Sequence, residues 1–300
     1  MKEGNRMKKG VWMLLFLCSV SGVFLIMFTY DWQREDSAVV KYFPLDDSKG
    51  FQSVETKLSL LQESDEDEYE ILWETRSELE DPVYLRQDVT LLYVDGRLKG
   101  LLSKWKENGQ NIFQETTIHG EDSSHFQAIT FHHGELHYPD DVIKSIQQMS
   151  SAELYVIDSP HTPLESFQDP DDSNQKEWKG TLDHATNQQL QYSWAQLLQH
   201  YGIDRNLYEE VPLTQLNNYM TKPFPNLTIE QTQQVLGQLW EGLYRNYVLN
   251  VNDNNENLSL KSLVPLILLD KKGTHLIVVY EDAKGNKQRL LQRYPTYSND

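Results

Sequence analysis

Apolar and polar positions divide the chain into successive regimes. Residues 11–30 (VWMLLFLCSVSGVFLIMFTY) form an uncharged apolar run. Residues 31–66 are polar and end in the acidic run Glu63-Ser64-Asp65-Glu66-Asp67-Glu68. From Tyr69 the apolar positions alternate as in strands: 69–75, 83–85, 89–94, 97–106, 112–118 and 126–131. Asp95-Gly96 is a two-residue hairpin signal, and Asn108-Gly109 reads as a second turn. A short helix is expected over 141–149, opened by Pro139-Asp140, followed by a strand at 154–157.

Residues 159–182, with Pro160, Pro163 and Pro170 among Asp, Ser and Asn, read as a loop or linker. Helical spacing follows. Leu190, Trp194, Leu197, Leu198 and Tyr201 share one face, and Gly202 closes that helix. Asp204 caps a second segment, and the clearest helix covers 227–248, where Thr228 and Gln231 have capping-box spacing. Strands return at 263–269, 275–280 and 288–293, joined at Lys271-Lys272-Gly273 and Ala283-Lys284-Gly285. The pattern predicts an α+β protein: a single N-terminal transmembrane helix, an antiparallel β-meander half (67–158), then a half (183–300) of helices followed by a three-stranded antiparallel meander.

A helix over 11–30, at ~1.5 Å per residue, reaches ~30 Å, the thickness of a bilayer core. Lys2, Arg6, Lys8 and Lys9 precede it, and Trp12, Tyr30 and Trp32 stand at its edges. The expected arrangement is a cytoplasmic tail (1–10), an anchor (11–30), an acidic tether (31–66) and an extracytoplasmic remainder. Ser19-Val20-Ser21 suggests a cleavage site, but the apolar run continues for nine residues beyond it. Cys18 suggests a lipoprotein, but Phe16 and Leu17 stand where small residues are expected. The uncleaved anchor fits best.

Charge narrows the choice of partners. The chain carries a formal −18, and its first ten residues contribute +3, so the part beyond the anchor is at −21. Such a surface repels nucleic acid. Cys18 is the sole cysteine, so the exported part forms no disulfide, which suits a bacterial exterior. The sequons at Asn226 and Asn257 matter only in a eukaryotic secretory route. Against this acidic background the last hairpins are basic (Lys271, Lys272, Lys284, Lys287, Arg289, Arg293), either a face for an anionic partner or an ordinary mixed surface.

The candidate chemistry centres on "FHHGELHY", residues 131–138. As one strand it directs His133, Glu135 and His137 to one face, a set that could hold zinc in an open three-ligand site. As a hairpin turning at His132-His133-Gly134 it scatters them, and the central glycine favours this reading. His119 and His125 flank a neighbouring turn and could lend a ligand. The acidic run 63–68 and the loop Asn252-Asp253-Asn254-Asn255-Glu256 offer oxygens for calcium without an EF-hand's spacing. Asp158-Ser159-Pro160-His161 gathers the residue types of a hydrolase triad, but such members normally come from distant positions. G-x-S-x-G, Walker and Rossmann glycine patterns are absent from the exported part, so enzyme signatures are lacking. The expectation is therefore a membrane-anchored extracytoplasmic binding or regulatory module of the cell envelope, contacting another membrane protein or a wall component. The alternatives are a metal-dependent hydrolase on His133, Glu135 and His137, or a small-ligand or calcium sensor using the junction of the halves.

Overall fold

The computed structural model describes residues 41–61, 68–160, 162–252 and 262–295. The apolar run 11–30, acidic residues 63–67, His161 and residues 253–256 lie outside them. Ten strands (β1 Ser53–Leu60, β2 Tyr69–Val94, β3 Arg97–Gly120, β4 Ser124–His137, β5 Ile143–Ser159, β6 Thr162–Phe167, β7 Tyr208–Pro212, β8 Leu266–Asp270, β9 His275–Glu281, β10 Lys287–Arg293) accompany two long helices, α1 (Ser173–Tyr201) and α2 (Ile229–Leu243). Strand takes 51% of the chain against 28% helical, so the α+β expectation is corrected to a mostly β protein with a nearly closed, barrel-like sheet. The expected transmembrane helix gains no support: among the described residues no helix is long and apolar enough to cross a membrane.

Two hydrogen-bonded sheets form. The first has the order β1-β2-β4-β5-β6 with β3 on the other edge of β2, and the second runs β10-β9-β8-β7. The first is not the expected meander, because β4 pairs with β2 rather than with β3. Its shape follows from register. Tyr69, at one end of β2, pairs with Gly120, and Val94, at the other, pairs with Phe126. A straight strand of 26 residues would separate its ends by ~85 Å, whereas the chain from Gly120 to Phe126 reaches at most ~20 Å. The β2–β3 hairpin is therefore doubled over. The bend falls where 79–82 of β2 stand opposite Gln110 alone, between Glu78↔Asn111 and Val83↔Gly109. Asn108, at positive φ beside Gly109, thus flanks this irregularity in the β2–β3 pairing and is not the expected chain reversal. Asp95-Gly96 is the tight turn expected, with both φ positive.

Three further segments differ from expectation. The tether contains β1, paired with β2 from Ser53↔Glu78 to Leu60↔Ile71. Residues 159–182 hold β6 and the first turns of α1, whose N-cap Asp172 accepts from the Gln175 amide. The helix expected over 141–149 is β5, paired with β4 from Ser124↔Val156 to His137↔Ile143. Ile146 and Met149 mimicked helical spacing because three residues apart on a strand means opposite faces, and both faces of β5 are covered: Ile146 packs with Leu79, Val83 and Leu136, and Met149 joins the large core. Elsewhere the expected signals hold. Gly202 ends α1 at φ 62, Thr228 and Gln231 form the capping box of α2, and β8–β10 make the antiparallel C-terminal unit.

One core unites what read as two halves. Val89, Leu91, Tyr93, Ile129, Phe131 and Met149 on the outer face of the bent sheet pack with Trp194 and Leu197 of α1, Leu236 and Trp240 of α2, and the apolar run of β8 and β9.

Candidate functional site

The alternate residues of the same strands line the inside of the fold. At one end of this inner face lie Leu58, Ile71, Trp73, Leu92, Phe126, Ala128 and Leu154; at the other lie Leu79, Val83, Leu136 and Ile146. Between them runs a polar belt. Asp88 Oδ2 accepts the Ser77 hydroxyl at 2.5 Å and stands 2.9 Å from His132 Nδ1, and His132 Nε2 is 2.8 Å from Ser150 Oγ. Thr56 Oγ1 lies 2.6 Å from both Ser150 Oγ and Thr130 Oγ1. Arg86 donates to Ser77 Oγ and, at 2.6 Å, to the Gln110 carbonyl. Burial lowers the Arg86 guanidinium from its ordinary value, while the charge of Asp88 acts in the opposite sense.

Asp88, His132 and Ser150 are linked in the order of a hydrolase relay. Their setting argues for structure: Asp88 and His132 have no exposure, and the Ser150 oxygen is shared with Thr56. A nucleophile needs an open approach to a carbonyl carbon, and here that side is occupied.

The histidine stretch is one strand, not the expected hairpin. His133 is buried on the face opposite His132, 3.1 Å from Ser145 Oγ, while Glu135 pairs with His137, whose ring stacks on Tyr84 at 3.8 Å. The strand keeps His133, Glu135 and His137 on one face, but His133 is buried against Ser145 while Glu135 and His137 pair with each other, and among the described residues no three His, Cys, Asp or Glu are placed to hold a metal. Asp158 and Ser159 sit at the end of β5, where the Asp158 amide donates to Ser123 Oγ.

A solvent-open cleft of about 170 Å³ lies where β4 and β5 meet α1 and the 3-10 segment Leu213–Met220. His125, on β4, is 5% exposed and stacks on Tyr155 of β5 with ring centres 4.0 Å apart. Its Nδ1 is 3.5 Å from Asp183 Oδ1 and its Nε2 is 3.7 Å from Glu153 Oε2. The latter contact is electrostatic, too long for a hydrogen bond, and Nε2 has no hydrogen-bond partner among the described residues. Tyr155 donates to Asp183 Oδ1 at 2.9 Å; Lys179 bridges the Tyr155 hydroxyl and, at 3.0 Å, Asp183 Oδ2. Gln127 Nε2 donates to Glu153 Oε1 at 3.0 Å.

The electrostatics follow from this packing. The neighbouring His125 is the chief influence holding the Glu153 carboxyl down to about 2, against the effect of burial, with Gln127 and Lys179 adding to it. Burial, then the Asp183 carboxylate, pushes the Tyr155 phenol well above its ordinary value, so it serves as a donor. Two carboxylates against one ammonium leave a negative charge in the cleft. In the sequence only His125 drew notice, as a spare ligand beside a turn. The other members are dispersed over β5 and α1, and the acidic chain offers too many carboxylates to single out Glu153 or Asp183. No known family, curated protein or solved structure matches this chain.

Proposed function

We propose that the chain is an extracytoplasmic binding module of the cell envelope, attached through the apolar run 11–30, which recognises a small polar group in the cleft between β4–β5 and α1. The observation that carries this reading is the buried His125 Nε2, unpartnered in the wall of an open, polar cleft. Buried polar atoms in folded proteins almost always have partners, so a missing one at a cleft wall marks where a ligand atom belongs. Tyr155 and Lys179 are engaged with Asp183 and each other, which favours holding a ligand over transferring protons to it.

The test is native mass spectrometry of the full-length protein extracted from its own membrane. A bound small molecule is expected on the wild type and not on Asn187→Trp, which fills the cleft from an exposed position on α1. Equal adducts on both proteins, or none on either, would contradict the proposal.

A further inference from the structure

Building on that reading, we infer that the cleft takes a primary ammonium group, lodged between Glu153 Oε2 and His125 Nε2. Charge is the first reason. Lys179 is committed to Asp183 and Tyr155, so the carboxylate of Glu153 is the group left for an incoming cation. Its side chain is 47% exposed, and its Oε1, but not its Oε2, receives the Gln127 amide.

Hydrogen-bond directions are the second reason. Each nitrogen of His125 faces a carboxylate oxygen, at 3.5 and 3.7 Å. In either neutral tautomer one ring nitrogen presents a lone pair toward an acceptor. A protonated ring would donate to both carboxylates; in the neutral ring, with Nδ1–H toward Asp183, Nε2 and Glu153 Oε2 are two acceptors side by side, and a donor with several N–H bonds takes the place of that proton and satisfies both. An ammonium carries three. The Tyr155 ring stacked beneath fixes the imidazole, so the acceptors are preorganised. The covering Glu153 side chain, half in solvent, is the part that must swing to admit the group.

Size is the third. About 170 Å³ is less than the ~300 Å³ at which pockets for whole drug-sized ligands begin. The cleft therefore receives a head group, with the remainder of the ligand outside.

The experiment is isothermal titration of the full-length protein in detergent, at constant ionic strength, with n-butylamine, tetramethylammonium, propionamide and butyrate. Butylamine is expected to bind saturably with a Kd on the order of millimolar, as suits so small a fragment. Tetramethylammonium, equally charged but without N–H donors, is expected to bind at least ~10-fold more weakly, and Glu153→Gln should weaken butylamine by a similar factor. Equal binding of the two cations, or butylamine binding unchanged in Glu153→Gln, would overturn the ammonium assignment. Propionamide or butyrate binding that Asn187→Trp abolishes, with no butylamine binding, would overturn it while leaving the binding cleft standing. If none of the four binds, and the purified protein carries no small molecule, both readings fall.

Discussion

His132 Nδ1 stands 2.9 Å from Asp88 Oδ2 at the centre of the doubled sheet, with neither residue exposed. The pair joins β4 to β2, and through Ser150 and Thr56 the chain of bonds continues to β5 and β1. Removing one member of a buried charged network leaves the others unsatisfied, here above all Arg86. Asp88→Ala is expected to cost about 3–5 kcal/mol in urea unfolding followed by tryptophan fluorescence. Replacing the pair together, Arg86→Met with Asp88→Leu, should recover much of that loss. A cost below ~1 kcal/mol for Asp88→Ala would mean the belt does not support the fold.

His133 ties stability to pH. Full burial holds its imidazole down to about 4 from an ordinary 6.5, with the charge of Asp88 acting in the opposite sense. Above pH 6.5 neither the folded nor the unfolded chain is protonated there, and the full stability is present. As the pH falls from 6.5 to 4 the unfolded chain takes up a proton that the folded chain refuses, so stability declines, by about 3 kcal/mol at most. His133→Gln should flatten that slope. Glu153 acts lower, between 4.5 and 2, as its protonation removes a charge the folded state favours. Parallel stability profiles for wild type and His133→Gln between pH 7 and 4 would contradict the assignment.

Gly134 stands inside β4, near its C-terminal end, because of Ile146. The two residues are paired across β4 and β5, and a Cβ on Gly134 would sit 2.8 Å from Ile146 Cγ1 and 3.4 Å from Val83 Cγ2. Gly134→Ala should therefore destabilise by about 1–3 kcal/mol despite the general gain of adding a side chain to a strand. Ile146→Val in the same chain should restore part of it. Thermal unfolding of the three variants decides, and an unchanged Gly134→Ala midpoint would remove this account of the glycine.

Those two residues also explain where the sequence was readable. Local signals, each within a few residues, came through: the Asp95-Gly96 turn, Gly202, the Thr228–Gln231 box and the alternation of the C-terminal strands. Nonlocal pairing did not. Gly134 looked like a turn because its tenant, Ile146, is twelve positions away, and Asn108-Gly109 looked like a reversal because both arms of β3 pair with a strand that is itself bent. The cleft was illegible for the same reason. His125, Glu153 and Asp183 belong to three elements, and only the packing of α1 against β4 and β5 brings them together.

The segment that leads into β1 offers the sharpest contrast of signs. The Tyr42 amide donates to Glu241 Oε2 at 2.8 Å, the Phe43 amide to Ser145 Oγ at 3.1 Å, and the Asp46 amide to the Ser145 carbonyl at 2.9 Å. Residues 42–46 thus strap α2 to β5. The Tyr42 ring lies on Gly237, where a Cβ would come 2.3 Å from Tyr42 Cδ2 and 2.5 Å from Gln147 Oε1; around Gly242, on the same helix, nothing lies within 4 Å. Alanine is preferred to glycine in a helix by ~1 kcal/mol, so Gly242→Ala should stabilise by up to that amount. Gly237→Ala carries the same helical gain but must displace Tyr42, and a net loss of ~1–2 kcal/mol is expected. Displacement also frees the strap, so limited proteolysis should cut within 42–46 faster in Gly237→Ala than in Gly242→Ala. Equal cleavage rates, or stabilisation by both alanines, would show that the contact with Tyr42 does not hold the strap in place.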